Sequence, residues 1–153
     1  MIMNAKKSIE MLQLFTTGLT NGAFAHLVQG KHFEAMGFSK LGEKYIGHYN
    51  EEMDWVKKFM TRINDLGGLV KIENQAGREI VKDPVDYVKA DLDLQEKGIK
   101  ILYYSLTELK DDPTTYELLK EYLADEEEDL YWSKGQLEII DMIGRQNWLA
   151  KQL

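Results

Sequence analysis

Four stretches of the chain repeat apolar residues at steps of three and four, the mark of helices with one buried face. The second stretch places Tyr45, Glu52, Phe59 and Leu66 seven apart, with Tyr49, Val56 and Ile63 as a second row. The third reads Val85, Val88, Leu92, Gln95, Ile99, Leu102, Leu106 and Leu109. The fourth reads Tyr116, Leu119, Leu123, Glu126, Leu130, Ser133, Leu137 and Ile140. The first is the loosest: Leu12, Phe15, Leu19, Gly22, His26, Gln29, Phe33 and Met36. Such spacing predicts an all-α fold, a four-helix bundle.

Each seam carries a polar residue where the core should be. Glu52, Gln95 and Glu126 interrupt three of them, and His26 and Gln29 interrupt the first. An unpaired polar group in a bundle interior costs roughly 1–3 kcal/mol. Interruptions on all four helices point to an interior site, because facing carboxylates and imidazoles are how a bundle holds metal.

The helix ends are marked. Asp83-Pro84 and Asp112-Pro113 each read as an N-cap followed by proline at the first helical position. Gly37-Phe38-Ser39 separates the first two helices, with Ser39 and Glu43 suiting a helix start, and Gly67-Gly68 stops the second. Gly144 breaks the fourth seam, after which Arg145–Leu153 can form a short fifth helix. That helix is too short to persist alone in water, so it is expected to lean on partner chains. Short loops make two antiparallel hairpins. Between them lie residues 67–82, a link that spans up to ~50 Å when extended. A ~27-residue helix is ~40 Å long, so the link can cross the whole bundle and make the second and third helices parallel.

The remaining composition narrows the function. At 153 residues the chain is read as one domain, with the bundle over about residues 5–142 and the fifth helix over about 145–152. No apolar run of ~18 residues exists to span a membrane. The start, Met1-Ile2-Met3-Asn4-Ala5-Lys6-Lys7, has no long apolar stretch or cleavage pattern, so the expectation is an unprocessed, cytoplasmic protein. With no cysteine, thiol and iron–sulfur chemistry are excluded. The net charge is −7 and no basic stripe runs along the chain, which disfavours nucleic acid. Ser/His/Asp sets, phosphate loops and zinc spacings are absent.

The C-terminal run from Glu127-Glu128-Asp129-Leu130-Tyr131-Trp132 through Ile143-Gly144-Arg145-Gln146-Asn147-Trp148-Leu149 resembles bacterioferritin, as does the pair Glu52-Met53. The resemblance covers nearly the whole chain. It implies the ferritin-like bundle with one long crossover, a hollow self-assembled cage, and iron as cargo. In that family one Glu, a Glu-x-x-His, one Glu and a second Glu-x-x-His build a dinuclear iron centre. Carried over, the first Glu falls on Leu19 and the first motif becomes Glu52-Met53-Asp54-Trp55. The third ligand becomes Gln95, and the last motif becomes Glu126-Glu127-Glu128-Asp129. Both bridging carboxylates survive and no terminal ligand does, so ferroxidase activity is in question.

The resemblance leaves two uses of the interior. Glu52, Gln95, Glu126 and Asp129, with His26, can hold one cation; or they form a metal-free polar network, Glu52 and Glu126 bonding each other, His26 or tyrosines. Trp55 and Leu19 read as fillers. Met53 implies a haem b shared between two subunits, against plain interface packing. His32 and His48 fall off the counted seams, with surface or inter-subunit roles expected. Three functions remain: iron storage with a degraded centre, a haem-bearing or structural subunit mixed with an active bacterioferritin chain, or a cargo or sensing protein outside iron chemistry.

Overall fold

Five helices follow one another in residues 5–153, the part of the chain that the computed structural model describes. They are α1 Ala5–Ala35, α2 Ser39–Asp65, α3 Pro84–Glu108, α4 Pro113–Ile143 and α5 Arg145–Ala150. The expectation for the N-terminal start falls partly on residues 1–4, outside the described residues.

The proline-led starts behave as the sequence indicates. Asp83 accepts from Asp86 N at 2.9 Å at the head of α3, and Asp112 accepts from Thr115 N at 3.2 Å at the head of α4. Ser39 is the first helical residue of α2 and does not cap it; the cap position is Phe38, which makes no side-chain bond. Gly67 follows α2 with φ 81°, a left-handed conformation that costs little only without a Cβ.

Two glycines set how closely α1 and α2 pack. A Cβ on Gly30 would lie 2.7 Å from Ile46 Cγ1 and 2.8 Å from the Gly42 carbonyl oxygen. One on Gly42 would lie 2.7 Å from the Gly30 carbonyl oxygen. The backbones touch there, and no larger residue fits without moving them.

The link between α2 and α3 runs along α1. Lys71 N donates to Gln13 Oε1 at 2.8 Å, and Asn21 Nδ2 donates to Ala76 O at 3.4 Å. Further on, the Gln29 amide pairs both ways with the Val81 backbone, at 3.0 and 2.6 Å. The partners advance together, so the link travels the length of α1 and delivers α3 parallel to α2. This is the long crossover.

Two apolar clusters fill the bundle. The larger gathers Leu12, Phe15, Leu19, Val56, Phe59, Ile63, Leu102 and Leu119 toward one end. The smaller joins Phe33, Leu41, Tyr45, Val85, Tyr87, Val88 and Trp148 toward the other. Between them by register lie His26, His48, Glu52, Asp91 and Gln95, all buried.

The fifth helix forms as expected and also packs on its own chain. Trp148 is fully buried in the smaller cluster, and its Nε1 donates to Gln136 Oε1 at 2.9 Å. Arg145 pairs with the Asp83 carboxylate, and Lys40 N donates to Gln152 O at 3.0 Å. The helix therefore folds back onto its own chain. Burial of one indole supplies what six residues of propensity cannot.

Candidate metal centre

The buried layer is organised around one imidazole. His26 on α1 directs Nδ1 at Glu52 of α2 in a very short contact, and Nε2 at Asp91 of α3, 2.8 Å away. The Gln95 amide donates to the other Asp91 oxygen at 3.3 Å, while Gln95 Oε1 has no protein partner. Tyr45 stacks on the His26 ring at 5.7 Å, with planes 18° apart.

The proton count follows from this geometry. A neutral imidazole has one N–H and one lone pair, and a lone pair facing a carboxylate oxygen is repelled. Two nitrogen–carboxylate bonds therefore require a proton in each. Burial alone would push the His26 ring down, but Asp91 and then Glu52 outweigh it and hold the ring well above its ordinary 6.5. Burial pushes the Glu52 carboxyl up, and His26 pulls it back. With the ring held protonated, His26 supplies the positive charge that a carboxylate pair in a bundle interior otherwise takes from a metal ion.

The residues singled out from the sequence are distributed differently. Glu52 is committed to His26 and Gln95 to Asp91. Glu126 is partly buried; burial, then Glu52 and Asp129, raise its carboxyl well above the ordinary range. Asp129 groups with Glu51 and Asp125, their oxygens within 4.8 Å of one another. Among the described residues, Glu52, Glu126 and Asp129 bring no such set of three ligand atoms together. Leu19 is buried in the larger cluster. Trp55 packs against that cluster, and its Nε1 donates to Asp125 Oδ2 at 2.9 Å. Met53 is partly buried and also packs on the larger cluster.

His48 corrects the sequence reading. It is 2% exposed, not on the surface, and its ring meets His26 edge-on at 5.3 Å. Burial and then the neighbouring His26 push it down to about 3, so it is neutral. His32 is partly buried, with an unbonded Nε2. Asp91 was missed altogether. Both omissions had a signal: Tyr45, His48 and Glu52 are separated by three and four, and so are Val88, Asp91 and Gln95. Counting only the strongest apolar rows hid them.

Access does not close this layer. A cleft of about 1330 Å³, flanked by α1, the crossover and α3, reaches His26, Glu52, Gln95 and Glu126. The donor set is what differs from a two-metal site. Such a site needs two ions ~3.5–4 Å apart, and here Trp55 and Leu19 offer no ligand while Glu52 is engaged. The residues do not fit a paired centre.

Comparison with known proteins places this fold. The family profile described as ferritin-like domain matches residues 24–143. The chain belongs to the ferritin-like family. A bacterial ferritin of Neisseria meningitidis serogroup B is 33% identical over 136 residues, 84% of each chain. A bacterial ferritin of Pseudomonas aeruginosa is 29% identical over 153 residues, covering 95% of this chain and 96% of its own. A bacterioferritin of Mycolicibacterium paratuberculosis is 26% identical over 147 residues, covering 93% and 92%.

Proposed function

We propose that this chain is a subunit of a cytoplasmic iron-storage cage whose own bundle does not oxidise iron in pairs. The observation that carries the reading is His26 held between Glu52 and Asp91. The imidazole occupies the bridging carboxylate that a dinuclear centre needs free. Iron entering this layer would have to displace a shared proton and a buried hydrogen bond before it gained its first ligand. The subunit thus contributes shell and capacity, and the iron it stores is oxidised slowly or elsewhere. Support for assembly comes from its ferritin-named relatives and from Leu14, Phe24 and Ile72, large apolar side chains exposed on α1 and the crossover.

The engaged interior also favours a second reading, in which the chain co-assembles with an oxidising ferritin subunit. Some other chain would then do the chemistry. Met53 beside Glu52 supports a haem b shared between two such subunits, and Met53→Leu would then abolish a haem absorption band.

Rapid mixing of ferrous iron with oxygen tests the main reading. The purified protein should show only slow oxidation. Replacing Leu19→Glu, Trp55→His, Gln95→Glu and Asp129→His should not suffice while His26 holds Glu52. Adding His26→Phe to those four should bring out a fast phase. A fast phase in the unmodified protein would overturn the proposal.

A further inference from the structure

We infer that the cleft flanked by α1, the crossover and α3 binds an amphipathic amine, with its ammonium head at Gln95 and Glu52 and its apolar body along the facing sides of α1 and α3. The inference does not rest on the storage reading, since the cleft would take such a molecule whether or not iron is oxidised beneath it.

Small residues make the room. Gly18, Gly22 and Ala25 recur at steps of four and three on α1, and Leu94, Gly98 and Ile101 do so on α3, so each set shares one helix face. A Cβ on Gly18 or Gly98 would meet nothing within 4 Å. Close packing joins α1 to α2 and α3 to α4, and the cleft of about 1330 Å³ opens between α1 and α3. Leu94 and Ile101 are half exposed on its wall. Apolar side chains along a concave wall are what the body of an apolar ligand covers.

Gln95 is the independent observation. It is 6% exposed and lines the cleft, yet its Oε1 has no hydrogen-bond partner. The amide is held in that orientation, because its nitrogen already donates to Asp91 Oδ2 at 3.3 Å. A buried carbonyl oxygen left unbonded is costly, and an N–H donor entering from the cleft would satisfy it. Charge makes that donor a cation. Glu52, Asp91 and Glu126 line the same cleft, against the single ring cation of His26. Glu52 bonds His26 through Oε1 and leaves Oε2 on the side of Gly22, 4.0 Å from where a Cβ there would stand. The cations at the rim are engaged elsewhere: Arg78 donates to Asn21 O at 3.2 Å, and Lys97 pairs with Asp93 at 2.9 Å. Acidic groups beneath apolar walls attract a cation that has an apolar body and repel an anionic amphiphile. A bare ion would leave the walls uncovered.

The n-octylammonium ion is the probe, titrated by calorimetry into the iron-free, assembled protein, with n-octanol and n-octanoate as its neutral and anionic counterparts. The expected result is one amine bound per chain, on the order of tenfold tighter than the alcohol, as a hydrogen bond to a charged group allows, and no binding of octanoate. Gly98→Leu fills the cleft and suits a helix better than glycine, so it should abolish binding with the fold kept. Gly18→Leu should do the same from the α1 side. Gln95→Leu should weaken the amine about tenfold and leave the alcohol unchanged, which a general loosening of the fold would not do. No amine bound by the unmodified protein would overturn the inference. So would alcohol or octanoate bound as tightly as the amine, or amine binding that survives both Gly98→Leu and Gly18→Leu.

Discussion

The Asp112 carboxylate accepts bonds from Ser8 Oγ at 2.7 Å, Thr115 Oγ1 at 2.6 Å, Thr115 N at 3.2 Å and Arg62 NH2 at 2.9 Å. One side chain therefore caps α4, ties it to α1 and anchors a guanidinium from α2. Burial pushes its carboxyl up, but the bonds from Thr115, Ser8 and Arg62 outweigh that and hold it below 3.8. A depressed folded value means the stabilisation is present above the unfolded value and is lost as pH falls through the folded one. Asp112 should thus make the protein acid-sensitive below about pH 4. Asp112→Ala should cost about 3 kcal/mol at neutral pH, as loss of a cap plus loss of the carboxylate partner of a partly buried arginine. Asp112→Asn should flatten the acid limb of stability against pH. Denaturant unfolding of the three proteins across the acid range measures both, and parallel acid limbs would show that Asp112 is not responsible.

Elements were the most legible level. The three-and-four spacing located four helices, and Asp83-Pro84 and Asp112-Pro113 located two of their starts to the residue. The crossover's route followed from its length alone. Side-chain partnerships were harder to read. His26 and Glu52 were both noted as inward, yet their direct bond depends on how α1 approaches α2, and that is set by Gly30 against Gly42. Asp91 carried no apolar label and lay one step off the counted row. The fifth helix was legible as an element, but six residues show no periodicity, and the burial of Trp148 depends on the distant partners Phe33, Leu41 and Tyr45. Since α5 covers that cluster within its own chain, removing residues 144–153 should destabilise the bundle itself. Losing a fully buried tryptophan costs about 3–5 kcal/mol. A lower thermal midpoint and increased binding of an apolar-surface dye are expected. A truncated chain with an unchanged midpoint would mean that α5 serves only contacts between copies.

At the scale of the molecule, two apolar clusters flank a polar layer with an internal cation of its own. Three helices contribute to that layer, α1, α2 and α3, with inward polar groups of the kind a bundle uses to hold metal. Its charge is balanced by His26, so the fold keeps an inward carboxylate without an ion at Glu52. On the α2–α4 face the oxygens of Glu51, Asp125 and Asp129 lie within 4.8 Å of one another. The interior layer thus holds the helices together through protein groups of its own. Crystals soaked aerobically in ferrous iron and recorded at the iron absorption edge test this most directly. The account predicts no anomalous peak bonded to Glu52 and Glu126, with His26 still bridging Glu52 and Asp91. An iron peak ligated by Glu52 and Glu126, with His26 swung away, would contradict it.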